Sequence, residues 1–262
     1  MMKKIAFPDA LLEHIRENDW VQDTIGMSGA HVFQVQTTAG EAAYLKVSPS
    51  GWETTLAGEK RALEWLRGKL PVPDLLYYEE TNGYDFLLMS AVEGDMCCSP
   101  ALLSRPENTA RLLGAGLALF HQVDTRDCLI DNRLERKLAE AEKRLLAGLV
   151  DEADFNEDNL GKSAAQLYQQ LVRERPQAED IVFTHGDYCL PNILVRHGKI
   201  GGFIDLGRCG LADRYQDIGI GIRSMMHNFG THKYRQPFLE GYGIGSVDED
   251  KVNYYILLDE MF

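Results

Sequence analysis

Apolar and polar positions alternate with a period of two over residues 31–36 and 42–47, the signature of half-buried strands, and a turn around Ala39-Gly40 joins them. From about 54 to 67 the period lengthens to that of a helix, with Leu56, Ala62, Leu63 and Leu66 inward, and GKLPVP ends it. Residues 75–78 and 86–89 read as two more strands about Asn82-Gly83. After Ser90 the pattern changes. AVEGDM reads as a short linker, and helical periodicity then covers about 106–122, 132–149, 163–173, 213–226 and 248–258, broken over 181–205. This predicts an α+β chain with a sheet-rich first part, 1–90, and a mainly helical second part, 91–262, carrying an acidic helical insert at about 131–176. No internal repeat or low-complexity stretch interrupts it.

Charge narrows the partners. The formal net charge of −13 argues against a nucleic-acid binder, which needs a basic patch, and suits a cationic ligand. Five cysteines, an odd number with no metal-ligand spacing, read as free thiols in a reducing cytoplasm. The start, MMKKIAFPDALLEH, lacks the apolar core of a signal peptide, and no run of about 18 apolar residues predicts a membrane span.

The densest chemistry lies in FTHGDYCLPNILV, residues 183–195. NILVRHGKIGGFID reads as a hairpin turning at Gly198-Lys199, which sets Asn192 opposite Asp205 to within a residue or two. An amide oxygen and a carboxylate there make a small hard-oxygen site of the kind Mg²⁺ takes, and Asp187 on the feeding loop can face it. Singly, such residues are ordinary turn formers. Jointly, HGD-x-x-x-x-N followed by IDLG parallels the protein-kinase pattern H-R-D-L-x-x-x-N with a later D-F-G. Asp187 is then the candidate base and His185 a structural residue.

The first part offers the matching phosphate clamp. YLKV sets Ala42, Tyr44 and Lys46 on one face of a strand, and Glu59 follows on the helix, as a Lys–Glu ion pair requires. Upstream, GMSGAHVF is a small-residue turn able to lay backbone amides on phosphate. It keeps only Gly26 of the kinase glycine pattern. NEDNLGKS, 156–163, nearly spells a P-loop, but Asn156 stands for its first glycine, no strand leads in, and crowded acids would repel a triphosphate. GAGLAL and GIGIRS lack the third glycine of a dinucleotide fingerprint.

Through GMSGA, YLK, WLRGKLPVP, LLMS, HGDYCLPN, GFIDLGRCG, ADRYQDI and YYILLDEMF the sequence resembles the aminoglycoside phosphotransferases, most of all the branch acting on the 3′-hydroxyl of kanamycin- and neomycin-type drugs. The resemblance implies a protein-kinase-like two-lobed fold, with a small antiparallel-sheet N-lobe binding nucleotide and a larger, mainly helical C-lobe. It implies Asp187 as catalytic residue, and Asn192 and Asp205 as Mg²⁺ ligands. Lys46 would touch the α- and β-phosphates with Glu59 fixing it, Ser28 would belong to the phosphate loop, Tyr44 would stack on adenine, and Ser90 to Val92 would bond its edge. The nucleotide is ATP, with GTP left open. Asp154, Glu157, Asp158, Arg208, Arg223, Asp259, Glu260 and Phe262, the last through a carboxylate, would meet the polycationic acceptor. His227 and Asn228 stand where the resemblance implies acids, which leaves the drug spectrum open. The expected state is a cytoplasmic monomer or weak dimer, without nucleic acid or membrane. Alternatives are a kinase of another small alcohol, of choline or thiosugar type, and a non-catalytic nucleotide-binding pseudokinase.

Overall fold

The structure, a computed structural model, describes residues 5–16, 20–23, 30–51 and 56–262. The chain forms two compact units, 1–94 with 201–208, and 95–200 with 209–262.

The first unit is built on an antiparallel sheet of β1 (Val21–Asp23), β2 (His31–Gln36), β3 (Ala42–Pro49), β4 (Leu75–Thr81) and β5 (Tyr84–Ser90), in the order β1-β2-β3-β5-β4. The period-two pattern sets its faces. Phe33, Val35, Leu45, Val47, Phe86 and Leu88 point into one core, which Leu11 of α1 (Asp9–Leu12) and the following Ile15 close. Helix α2 (Leu56–Leu66) turns Leu56, Glu59, Ala62, Leu63 and Leu66 inward. The β4–β5 hairpin turns on Asn82-Gly83, both left-handed at φ 53° and 78°, the backbone an Asn-Gly turn of this type demands.

Residues 201–208 return to this unit, a crossing that hydrophobic periodicity does not reveal. The returning segment is closely docked. The Phe203 N–H donates to the Pro71 carbonyl at 2.9 Å, and a Cβ on Gly202 would stand 2.8 Å from that same oxygen.

The second unit is mainly helical. It contains β6 (Asp95–Met96), α3 (Pro100–Leu103), α4 (Pro106–His121), α5 (Leu134–Ala147), α6 (Ala164–Arg173), β7 (Ile181–Thr184), β8 (Ile193–Arg196), β10 (Gly210–Asp213), α7 (Tyr215–Phe229), α8 (Arg235–Tyr242) and α9 (Glu249–Asp259). Strand β9 (Lys199–Phe203) carries the chain out of it. Leu134, Leu138, Leu167, Leu171, Tyr254 and Leu258 join α5, α6 and α9 in one core. Ser163 starts α6 with a reciprocal capping box to Gln166, so the sequence NLGKS ends in a helix cap.

Three expectations are corrected. The hairpin before β9 turns at His197-Gly198, with φ of 52° and 73°, one residue earlier than expected. His197 takes the left-handed position that the sequence pattern reserves for glycine. Asn192 then lies in a single 3₁₀ turn before β8, and Asp205 lies past the end of β9, so neither is a ladder residue. Helix α7 begins at Tyr215, because Gly210–Asp213 pairs antiparallel with β7. Helix α8 was not anticipated, since Pro237 and Gly241 interrupt its periodicity.

That same Gly241 explains how α8 packs. Helices α4 and α8 meet backbone to backbone: a Cβ on Gly114 would lie 2.0 Å from the Phe238 carbonyl, and one on Gly241 would lie 2.2 Å from that of Arg111. Neither wall can yield as a flexible side chain would. Gly114→Ala is therefore expected to destabilise the protein by at least about 1–3 kcal/mol, the usual cost of overpacking, read as a lowered midpoint in urea unfolding.

Candidate active site

In the first unit three charges converge. Lys46 Nζ on β3 lies 2.8 Å from both Glu59 carboxylate oxygens and 2.8 Å from Asp205 Oδ1. Glu59 reaches it from α2 while only 2% exposed, and its Oε1 also accepts the Leu206 N–H at 3.3 Å. Burial works against the Lys46 charge, but Glu59 and Asp205 outweigh it and raise its pKa above the ordinary lysine value. Burial also raises Glu59, with Lys46 pulling it down and Asp205 pushing it further up. Asp205 is a non-glycine residue at φ 60°, a conformation held against steric preference, and its side chain is 44% exposed.

The other nucleotide candidates lie on the same sheet. Tyr44 shares the face of Lys46 and pairs with Met89 of β5. Ser90 ends β5, where its N–H donates to the Asp74 carbonyl and its Oγ accepts the Asp74 N–H at 2.8 Å. The Ala91 N–H goes to the Ala42 carbonyl. Of the Ser90 to Val92 backbone expected to bond a base edge, the Ser90 and Ala91 N–H groups are therefore engaged within the unit. Ser28 lies outside the described residues. Arg208 is half-buried at the end of the returning segment.

In the second unit the loop after β7 holds Asp187. Asn192 Nδ2 donates to the Asp187 carbonyl oxygen and to its Oδ2, each at 3.0 Å. Both partners are acceptors, so the amide nitrogen is fixed toward Asp187 and the amide oxygen faces the other way. The Asp187 N–H points at His185 Nδ1 from 3.4 Å, and the wholly buried His185 ring packs against Phe120 and Tyr188. His185 thus has the structural surroundings expected of it.

Sequence reasoning gave no role to the residue that organises this loop. Asp217, fully buried on α7, accepts the His185 N–H at 2.7 Å and the Gly186 N–H at 2.8 Å. Gly186 sits at φ 84°, a backbone state open to glycine. His121 Nε2 lies 3.0 Å from Asp217 Oδ2, and Tyr242 Oη lies 2.9 Å from His121 Nδ1. Gln216 Nε2 donates to the Gly186 carbonyl, and Ser224 Oγ accepts the Leu190 N–H. The quoted stretch ADRYQDI was the available signal, but nothing in its spacing links Asp217 to a loop so far back in the chain.

The acidic candidates also belong to this unit. Asp259 and Glu260 end α9, where Arg223 of α7 pairs closely with Asp259 and stands 3.8 Å from Glu260. Burial opposes the Arg223 charge, yet Asp259, Glu260 and, through space, Asp187 raise its pKa. Burial raises Glu260 above the ordinary glutamate value, against the Asn156 N–H bonded to its Oε2 at 2.9 Å and against Arg223. Asp154 adds to that rise through its charge, while Glu157 and Asp158 are exposed on the same segment. The Phe262 oxygen accepts from Arg144, and its ring lies under Lys137. The C-terminal acids, expected to await a ligand, are thus already engaged with arginines. Asn228 spends its amide nitrogen on the Ser224 carbonyl of its own helix.

Asp205 and Asn192 are both hard-oxygen donors, which fits Mg²⁺. Among the described residues there is no group of three or more His, Cys, Asp or Glu that could hold an ion.

A family model described as a phosphotransferase enzyme family matches residues 22–255. The chain belongs to that family. Its relatives include an aminoglycoside 3′-phosphotransferase from Niallia circulans, 44% identical over 98% of this chain and 97% of the relative. Another, from Enterococcus faecalis, is 39% identical over the full length of both. Among solved structures, an aminoglycoside-3′-phosphotransferase of type VIII superposes with a TM-score of 0.82 at 31% identity, covering 93% of each chain. A Streptomyces rimosus aminoglycoside phosphotransferase in complex with ADP and streptomycin superposes at 0.77 with 25% identity, covering 92% of each. The phosphotransferase therefore has the α+β, protein-kinase-like architecture that its motifs implied. None of the five cysteines is in a disulfide, and no described helix is long and apolar enough to cross a membrane.

Proposed function

We propose that the protein transfers the γ-phosphate of ATP to the 3′-hydroxyl of a kanamycin- or neomycin-type aminoglycoside and so confers resistance to it. The observation that carries the reading is the Asp187 loop, a carboxylate presented by a buried hydrogen-bond clamp, in a chain that also holds the Lys46–Glu59–Asp205 cluster. Phosphoryl transfer needs chiefly positioning and neutralisation of charge, and both clusters are of that kind.

In this reading Lys46 binds the α- and β-phosphates, with Glu59 holding its ammonium in place. Tyr44 stacks on adenine, and the Ser90–Val92 backbone meets the base through its carbonyls and Val92. Asp205 and Asn192 hold Mg²⁺, which when bound neutralises the phosphate oxygens. Asp187 orients the acceptor hydroxyl and takes its proton at a carboxylate oxygen. Asp154, Glu157, Asp158, Asp259 and Glu260 offer carboxylates to the acceptor's ammonium groups, and an ammonium that reaches Asp259 exchanges for Arg223. The location implied is the cytoplasm, where the nucleotide is found.

An ADP-release assay over a panel of acceptors tests the reading. Kanamycin and neomycin are expected to be turned over, with choline and thiosugars inert. Tobramycin, which lacks the 3′-hydroxyl, is expected to compete with kanamycin without being phosphorylated at that position. Efficient turnover of tobramycin would move the protein to another branch, and turnover of choline alone would replace the acceptor class. A catalytically dead nucleotide binder would release no ADP with any of them.

Lys46→Ala separates nucleotide from acceptor. The variant is expected to raise the nucleotide KM by about tenfold or more, the worth of one lost charge-assisted contact, with acceptor affinity retained. Loss of acceptor affinity alone would show that the roles of the two clusters are exchanged.

A further inference from the structure

We infer that Arg144, on the last turn of α5, is a positioning residue for the acceptor, because its one guanidinium ties together the two acidic segments of the second unit. The inference rests on the acceptor reading above. Arg144 Nε donates to the Met261 carbonyl at 2.7 Å, while Nη2 reaches the Phe262 oxygen at 3.3 Å and the Leu149 carbonyl at 3.1 Å. Leu149 opens the segment that carries Asp154, Glu157 and Asp158. Met261 and Phe262 follow directly on Asp259 and Glu260.

The end of α9 shows why a cation belongs there. Its last turn tightens, with the N–H groups of Glu260, Met261 and Phe262 bonding three residues back to Leu257, Leu258 and Asp259. This satisfies those carbonyls, and beyond them Arg144 donates to the oxygens of Met261 and Phe262. A guanidinium at a helix C-terminus is also favoured by the helix dipole. The Phe262 ring packs against the same anchor, with Lys137 Nζ 4.5 Å and the Arg144 guanidinium carbon 5.7 Å from its centre.

The two arginines divide their labour. Arg223 binds the carboxylates of Asp259 and Glu260, the groups an ammonium ligand would compete for. Arg144 holds the Met261 carbonyl and the Phe262 oxygen instead, so its hold does not depend on the Asp259 and Glu260 side chains. With Arg144 in place the acids stay preorganised while Arg223 is displaced. Without it, the tail and the 149–158 segment must be ordered at the moment the acceptor binds, and that cost falls on acceptor affinity.

The experiment is steady-state kinetics with kanamycin and MgATP on wild type, Arg144→Met and Arg144→Lys, with hydrogen exchange across 257–262. Arg144→Met keeps the stem and removes the donors. It is expected to raise the kanamycin KM by about tenfold, the worth of a lost charge-assisted bond, and to leave kcat and the nucleotide KM within about twofold. Exchange should rise in the tail, and Arg144→Lys, which can cap one carbonyl, should recover part of the loss. An unchanged kanamycin KM in Arg144→Met would overturn the anchor while the acceptor reading stands. An equal fall of kcat and both affinities in Arg144→Met and Arg144→Lys would overturn it too, as the mark of general destabilisation. A wild type inert on every aminoglycoside would overturn the acceptor reading, and the anchor with it.

Discussion

Asp187→Asn is expected to lower kcat by about 10²- to 10⁴-fold, the usual contribution of a positioned base, while the nucleotide KM stays near its wild-type value. The substitution is close to isosteric, and its amide oxygen can still accept the Asn192 Nδ2 bond that Asp187 Oδ2 now accepts at 3.0 Å. The loop carrying it is fixed by main-chain bonds to Asp217, which the change does not touch. What disappears is one negative charge and one proton acceptor. Lys46 keeps its bonds to Glu59 and Asp205, and Asn192 keeps its Nδ2 bond, so nucleotide affinity is expected to stay near wild type. Single-turnover rates with saturating acceptor would measure the chemical step directly. Turnover within a few-fold of wild type would remove Asp187 from the role of base.

The second large effect is expected at Asp217. Its carboxylate is fully buried and joins two loop N–H groups to the His121 ring. Asp217→Ala removes the carboxylate partner of the buried His185 and Gly186 N–H groups. Each unpaired buried donor costs about 1–3 kcal/mol, so a loss of about 3–5 kcal/mol is expected for the set, comparable to breaking a buried ion pair. Urea unfolding should show it as a lowered midpoint at unchanged slope. Activity at a temperature where the variant remains folded should fall through kcat, because the disturbed groups carry the Asp187 loop. Asp217→Asn, which keeps one acceptor oxygen, should lie between the two. A midpoint in Asp217→Ala close to wild type would mean that the loop holds its shape without the clamp.

How far the site was legible follows from where its partners lie in the chain. Lys46 and Glu59 were readable as a pair because strand alternation and helical period each fix a face, and the two faces meet over a short connection. Asp187 and Asn192 were readable because one loop carries both. Asp217 and His121 were not. The loop atoms that Asp217 binds lie 31 and 32 residues away and the His121 ring lies 96 away, distances over which no periodic pattern carries information. The C-terminal acids were legible as acids, but their attachment to Arg223 and Arg144 depends on α7 and α5 packing on α9. The fold shows the same division. Helices with unbroken apolar stripes were located to within a few residues, whereas α8 escaped because Gly241, which lets its backbone approach α4, is the residue that breaks its stripe.

The return of 201–208 to the first unit has a consequence for how the protein is made. Chains fold during synthesis in N-terminal-first order where a domain is one continuous segment. Here the first 94 residues leave the ribosome without Asp205, the second carboxylate on Lys46, and without the Phe203 bond to Pro71. The nascent first unit therefore waits, without its returning segment, until most of the second unit has emerged. A protein split after residue 94 would have to borrow its missing piece from the other fragment, so the halves can be complementary parts of one enzyme but not two interchangeable modules.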